Sequence, residues 1–393
     1  MVAAATSRNA LWLALLASPI LAIEVPVGAG RVLSISAFDV VVVAAFVAVC
    51  RPYRPSSLGG ALAGLGPLVL FAALAVVHSA ATLQFGSAIQ LAGLLRETVK
   101  YVGFAANVAM LVAVFRTEPM DRAPSRVVLV ALAFGLGLGA MAYTWTPAYD
   151  GGGAYLTVTG AVLTVVAFLL ASPSPRPSDR REIGVTTGAL AAALAGAWWI
   201  WSKLFLLATA ACMATYVART AADRLGLRLN RRWFAAAGAL ATLIVLAAAL
   251  YALEDWRFES SASVRLELWT IAVDRIGHSF PWGIGLGQFG AWLADLAPYK
   301  GDGQLRFVHN QFLAFVTETG AVGIVLSLIV LKLVADAAAA WQGVMRALFA
   351  CILLGSLMLH DGIGLRALQL LLGYSFAVAV RPGASGSQRH RFA

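Results

Sequence analysis

The sequence predicts an all-α polytopic membrane protein of about twelve transmembrane helices, with one long structured loop between the ninth and the tenth. Three observations carry this expectation. Of 393 residues, 60% are hydrophobic and only 12% are charged, where a soluble domain has about 45–50% and about 25%. The apolar residues come in long blocks, among them 40–49, 61–77, 127–142 and 324–334. The cations, finally, are segregated along the chain. A bilayer core about 30 Å thick takes roughly 20 helical residues to cross. These Leu/Ala-rich blocks are too long for barrel strands, and helices satisfy their own backbone in lipid.

The expected spans are 10–23, 33–50, 61–81, 94–115, 127–145, 154–171, 183–200, 203–218, 233–253, 309–335, 341–359 and 362–380. The first is short and contains Pro19, which raises the alternative of a signal peptide. No small-x-small cleavage site follows it and many spans do, which favours a membrane helix. The seventh and eighth form a short pair around Trp201-Ser202-Lys203. Segments 172–181, rich in Ser, Pro and Arg, and 219–232, with five arginines, read as cytoplasmic linkers. The chain then divides into spans one to nine (1–253), the loop (254–308), spans ten to twelve (309–380) and a tail (381–393).

With the amino terminus inside, 19 of the 29 cations fall on the inner side, five lie in 254–308 and five elsewhere outside. Lys and Arg accumulate in short cytoplasmic loops, so both termini are expected in the cytoplasm and the long loop on the outer, periplasmic face. The same rule accounts for the net charge of +10 and the pI near 9.9. Nucleic-acid binding is not expected, because no basic stretch carries interleaved aromatics for base stacking. Cys50, Cys212 and Cys351 sit in or beside separate apolar blocks and read as packing residues, not as a disulfide framework or metal site.

Segment 254–308 is too rich in aromatic and aliphatic residues for a linker: Trp256, Phe258, Trp269, Ile271, Phe280, Trp282, Phe289 and Trp292 stand among Gly and Pro. A helical apolar rhythm runs over 264–276, and 280–290 is a glycine-rich turn. Short amphipathic helices lying on the outer membrane surface are expected, capping a cavity between spans.

The strongest local signal joins this loop to the tenth span: Arg306-Phe-Val-His309-Asn310, nine residues, then Gly320-Ala-Val-Gly323. On one continuous helix, 309, 313, 316, 320 and 323 share a face. His309 would stand at the outer mouth of that stripe, and Gly320 and Gly323 would admit a neighbouring helix. Histidine suits general-base work near neutral pH. The structural alternative is a helix-start histidine bonded to loop carbonyls. Glu318 falls on the opposite face, where an interhelical hydrogen bond is expected. Arg96 and Lys100, four apart at the outer end of the fourth span, repel each other. A bound anion would relieve that, or Glu97 could pair with one of them. Lys203 at the short turn is a similar case. Asp39, His360, Asp361 and Arg366 read as structural pairs, and His78 as a packing histidine.

His309-Asn310, nine residues and Gly320-x-x-Gly323 resemble the signature of bacterial O-antigen ligases, and more loosely of O-antigen polymerases. Upstream, Arg265-x-x-x-Trp269 and then His278-Ser-Phe-Pro281-Trp-Gly283-Ile-Gly285-Leu-Gly287-Gln-Phe289 are similar to the same superfamily's pattern, while Ser202-Lys203 and Asp39 resemble two further elements. The resemblance covers most of the chain in topology, and its specific motifs lie in 265–323. The family often has an Arg and an Asn-rich stretch before the sixth span; this chain has Tyr149-Asp150-Gly151-Gly152-Gly153 there.

What the resemblance implies is glycan transfer at the periplasmic face of the inner membrane, from undecaprenyl pyrophosphate to a sugar hydroxyl of lipid A–core. A polymerase would instead extend a second lipid-linked repeat. It implies neither metal nor cofactor. His309 would be the base, Asn310, Gly320 and Gly323 its support, and Arg265, Arg306, Arg96, Lys100 and Lys203 the cations for the pyrophosphate. A single substantial outer loop favours the ligase over the polymerase. A secondary transporter or lipid flippase is the alternative of another class; polar residues gathered at the outer interface, not at mid-membrane, argue against it.

Overall fold

The computed structural model describes residues 22–28, 31–50, 64–85, 91–117, 188, 191, 256–295, 308–339, 349–350, 353–354, 357 and 362–379. Nearly all of the expected spans between 127 and 253, and most of 10–23 and 341–359, lie outside these residues. So do Arg306 and Lys203.

The described chain is mostly helical. Strands β1 (Ala22–Gly28) and β2 (Arg31–Ser36) lead into α1 (Ala37–Cys50), α2 (Gly66–Phe85) and α3 (Leu91–Thr117). The second half holds α4 (Trp256–Ser279), α5 (Phe289–Asp295), α6 (Gln311–Thr319), α7 (Ala321–Ala338), a 3-10 turn (Gly362–Gly364) and α8 (Arg366–Ala379). Among the described residues, three helices are long and apolar enough to cross a membrane, over Gly66–Gln84, Leu91–Arg116 and Ala321–Ala338; Ala37–Ala48 and Leu368–Ala377 are shorter apolar helices.

The all-α expectation misses one element. β1 and β2 pair antiparallel, Ala22 opposite Ser36 and Val25 opposite Leu33, so a hairpin occupies the end of the expected first span and the start of the second. The helix begins at Ala37 because a capping box starts it. The Asp39 carboxylate accepts from the Ser36 backbone N–H at 2.9 Å, and the Asp39 N–H donates back to the Ser36 hydroxyl at 3.4 Å. Two otherwise orphaned donors are satisfied this way.

α3 is the central element. Its 27 residues reach about 40 Å at 1.5 Å per residue, and it packs against α1, α2 and α8, while α7 packs against α2 and α8. The main core runs through Phe38, Phe71, Tyr101, Phe104, Phe115 and Phe315. Phe315 meets Tyr101 edge-on at 5.4 Å and Phe71 at 5.9 Å between ring centroids, a geometry favoured by the ring quadrupoles. Val69, Val77 and Leu328 point outward on the candidate spans, as lipid-facing side chains would.

The described part of segment 254–308, residues 256–295 and 308, is folded. Leu268 and Ala272 of α4, Phe289 and Leu293 of α5, and Val308 are fully or nearly buried in a second, smaller core with Trp269, Trp292 and Leu313 around it. Each large apolar side chain so buried contributes about 1.5–3 kcal/mol. The expected helical rhythm at 264–276 lies inside α4, but α4 has 24 residues and is not one of several short helices.

The expected single helix over 309–335 is also corrected. It breaks at Gly320, whose φ of +60° and ψ of −128° are open to glycine and strained for other residues. α6 ends there and α7 begins at the next residue.

Candidate functional site

The break at Gly320 is where the two motif-bearing segments meet. Ile284 N–H donates to Thr317 O at 3.1 Å, Gly285 N–H to Glu318 O at 2.8 Å, and Ala321 N–H to Pro281 O at 2.8 Å. The last carbonyls of α6 and the first amide of α7 have no intrahelical partners; the 281–285 turn supplies them. Contact is backbone to backbone. A Cβ on Gly283 would lie 2.4 Å from Glu318 O, and one on Gly320 2.0 Å from Pro281 O. On the far side of the turn, a Cβ on Gly287 would lie 2.3 Å from Gly93 O, and one on Gly285 2.8 Å from the Thr82 side chain. The turn therefore sits on the carboxyl end of α2, the amino end of α3 and the α6–α7 junction together.

Glu318 fastens this arrangement. Its carboxylate accepts from the N–H groups of Gly287 at 3.0 Å and Phe289 at 3.4 Å, the second opening the first turn of α5. The expected interhelical hydrogen bond is replaced by these loop amides, because the break swings the end of α6 against the turn. Glu97 and Lys100 of α3 interact electrostatically with Glu318, and the His78 ring lies against its backbone. His78 Nε2, Glu97 Oε1 and Thr317 Oγ1 are buried with no hydrogen-bond partner among the described residues, so the described junction retains polar capacity beyond what its own groups use.

His309 does not lie on the helix, as the shared-face argument required. It has φ +51° and precedes Asn310, the residue that starts α6. The Asn310 side-chain oxygen accepts from Phe312 N–H at 3.1 Å and Leu313 N–H at 3.2 Å, an N-cap. The histidine is half-buried. Directly before it, Val308 O accepts from Trp269 Nε1 at 3.0 Å. Arg265 stands one turn earlier than Trp269 on α4, on the same face and about 6 Å along the axis. It is half-buried, and burial pushes its guanidinium below the usual arginine value.

Lys100 pairs with Glu97 one turn away, the intramolecular alternative to a bound anion, and lies 5.3 Å from the Tyr101 ring centroid. Its alkyl chain passes Gly364, where a Cβ would be 3.5 Å from Lys100 Cδ. The neighbouring Ile363 N–H donates to Gln311 Oε1 at 3.5 Å. Lys100 and the amino end of α6 thus meet the same 3-10 turn. Arg96, one turn before Lys100, is half-buried. Gly320 and Gly323 do permit close approach, but not by a separate helix. Gly320 faces Pro281, and a Cβ on Gly323 would lie 2.2 Å from Phe315 O of the preceding helix.

A second polar group lies at the amino ends of α1 and α8. Arg366 reaches Asp39 Oδ2 at 3.1 Å, and Asn107 Nδ2 bridges Asp39 Oδ1 and Gln369 Oε1, both at 2.9 Å. Asn107 and Gln369 are polar residues inside apolar helices that the sequence reading did not single out; only their burial partners reveal them. Among the described residues no three His, Cys, Asp or Glu side chains cluster as a metal site.

Comparison with models of known protein families finds no match, and comparison with curated proteins finds none either.

Proposed function

We propose that the chain is a membrane glycosyltransferase of the O-antigen ligase type, moving a glycan from undecaprenyl pyrophosphate to a sugar hydroxyl of lipid A–core. One observation supports this reading above the others. The two sequence segments that resemble the superfamily, 265–289 and 309–323, are bonded into one unit by Trp269 to Val308 and by the 281–285 turn to the Gly320 break. A resemblance arising by chance would give no reason for its halves to meet.

In this reading His309 takes the proton from the acceptor hydroxyl as that oxygen attacks the anomeric carbon. The bond from that carbon to the pyrophosphate oxygen breaks, and the departing lipid diphosphate carries the developing negative charge. Arg265 lies one helical turn from Trp269, whose indole bonds Val308 beside His309, and a guanidinium suits paired bonds to phosphate oxygens. Arg306, three residues before His309 in sequence, shares that role, with Lys100, Arg96 and Lys203 as further candidates. The burial that opposes charge on Arg265 is offset when an anion binds. The inner membrane is the location this chemistry requires, with both termini in the cytoplasm and 254–308 in the periplasm.

The test is incubation of the purified protein with undecaprenyl-pyrophosphate glycan and alternative acceptors. Glycan on lipid A–core is the expected product. A lengthened lipid-linked chain would mean a polymerase, and movement of intact donor across the bilayer with no new glycosidic bond would mean a flippase.

A further inference from the structure

From Arg265 to its end, helix α4 is divided lengthwise into three strips. Leu268 and Ala272 point into the small core and are fully buried. Glu267, Asp274 and His278 form a charged row, with the Asp274 and His278 side chains 74% and 68% exposed. Beside it, Leu266, Thr270, Val273 and Gly277 recur at intervals of four, three and four, the spacing of one helical stripe, and all are exposed. The stripe carries no charge, and two exposed aromatics extend it at the helix end: Phe280 at 52% and Trp282 at 80%.

From this we infer that the stripe is a membrane-contact surface, seating α4 and the glycine turn in the interfacial layer of the bilayer at a fixed depth. The occupant is set by where the stripe ends. Pro281, between the two aromatics, accepts from the N–H of Ala321, the first residue of a candidate span. Ile324, Val325, Leu328 and Leu331 are exposed along that span and begin one turn from this hydrogen bond. The exposed aromatics therefore stand at the mouth of an apolar, outward-facing helix, where the hydrocarbon ends. Aromatic side chains favour that boundary, and an amphipathic helix lying there keeps its charged row in water. The bond from Pro281 to Ala321 ties the depth of the turn to that of the span, and Trp269 passes the constraint on to Val308, beside His309. The inference rests on the membrane reading of the chain and not on the proposed chemistry.

The experiment uses the full chain with Cys50, Cys212 and Cys351 replaced by serine, reconstituted one copy per nanodisc of phosphatidylethanolamine and phosphatidylglycerol. Spin labels are placed singly through Leu266→Cys, Val273→Cys, Trp282→Cys, Asp274→Cys and His278→Cys. Labels at 266, 273 and 282 are expected to relax with oxygen and resist a water-soluble nickel chelate, and those at 274 and 278 to do the reverse. Nickel accessibility at 273 and 282 equal to that at 274 overturns the inference. Protection from both reagents that persists in detergent also overturns it, by pointing to a protein partner or a second copy. A second measurement avoids the label: the cysteine-containing chain should lose part of its fluorescence quenching by interfacially brominated lipids on Trp282→Phe, and an unchanged quenching ratio counts against the inference. Failure here leaves glycan transfer untouched, and lack of transfer leaves this depth profile untouched.

Discussion

Glu318 lies near the end of the nine-residue helix α6 and His309 just before the Asn310 cap that starts it, and groups outside the helix fasten Glu318. Glu318 satisfies two backbone N–H groups of the turn, and an unmet buried donor costs about 1–3 kcal/mol. Glu318→Ala should therefore destabilise the unit by a few kcal/mol on that scale and speed exchange of the amides at 287 and 289. Glu318→Gln, which keeps a carbonyl acceptor, should do so less. Hydrogen exchange by mass spectrometry reads this directly, and equal protection in wild type and the alanine variant would contradict the clamp. Asn310→Ala should cost about 1 kcal/mol as a lost N-cap and let the His309 backbone leave its positive φ, measurable as lower thermal stability with faster exchange at 312 and 313. The reading from sequence took Asn310 as a supporting residue but ran the helix through His309. An Asn before an apolar run is itself a helix-start signal that the shared-face pattern overrode, and the helix starts there.

At the scale of elements, the break at Gly320 decides the geometry. Periodicity over 309–335 is helical on both sides of the break, so hydropathy alone could not reveal it; a glycine inside a helical pattern was the one available sign. Gly320→Ala forces a Cβ against the Pro281 carbonyl at 2.0 Å and a side chain into a strained φ. It should separate turn from junction and lower the unfolding temperature, whereas Gly103→Ala, where a Cβ meets nothing within 4 Å, should be neutral or stabilising. Equal thermal shifts for the two would refute the docking. The hairpin over 22–36 was missed for a related reason. Ile23, Val25 and Val27 alternate as a strand does and Gly28-Ala29-Gly30 is a turn signal in the sequence, but apolar blocks on either side absorbed both signals into spans. That 256–295 would fold, by contrast, was legible, because its aromatics and glycines have no use in a linker.

For the molecule as a whole, helix ends meet at two levels along α3. The amino ends of α3 and α7 and the carboxyl end of α2 gather on the glycine turn through Gly93–Gly287, Thr82–Gly285 and Pro281–Ala321, while the amino ends of α1 and α8 meet α3 further along its length, at Asn107. The sequence could place these residues near one face through alternating spans, but not say which would touch. The buried bridge of Asn107 to Asp39 and Gln369 ties three of those helices. Asn107→Ala should destabilise by about 1–3 kcal/mol, and its effect should not add to that of Asp39→Asn, with a coupling of about 0.5 kcal/mol or more. Additive thermal shifts in detergent would dissolve the network.

The chemistry proposed for this assembled end stands on one imidazole. The most direct measurement compares wild type with His309→Ala in purified form, scoring glycan transferred to lipid A–core beside donor-lipid binding and thermal stability. Transfer should fall to background while donor binding and unfolding temperature stay near wild type. Undiminished transfer by the alanine variant would contradict the assignment of His309 as the base.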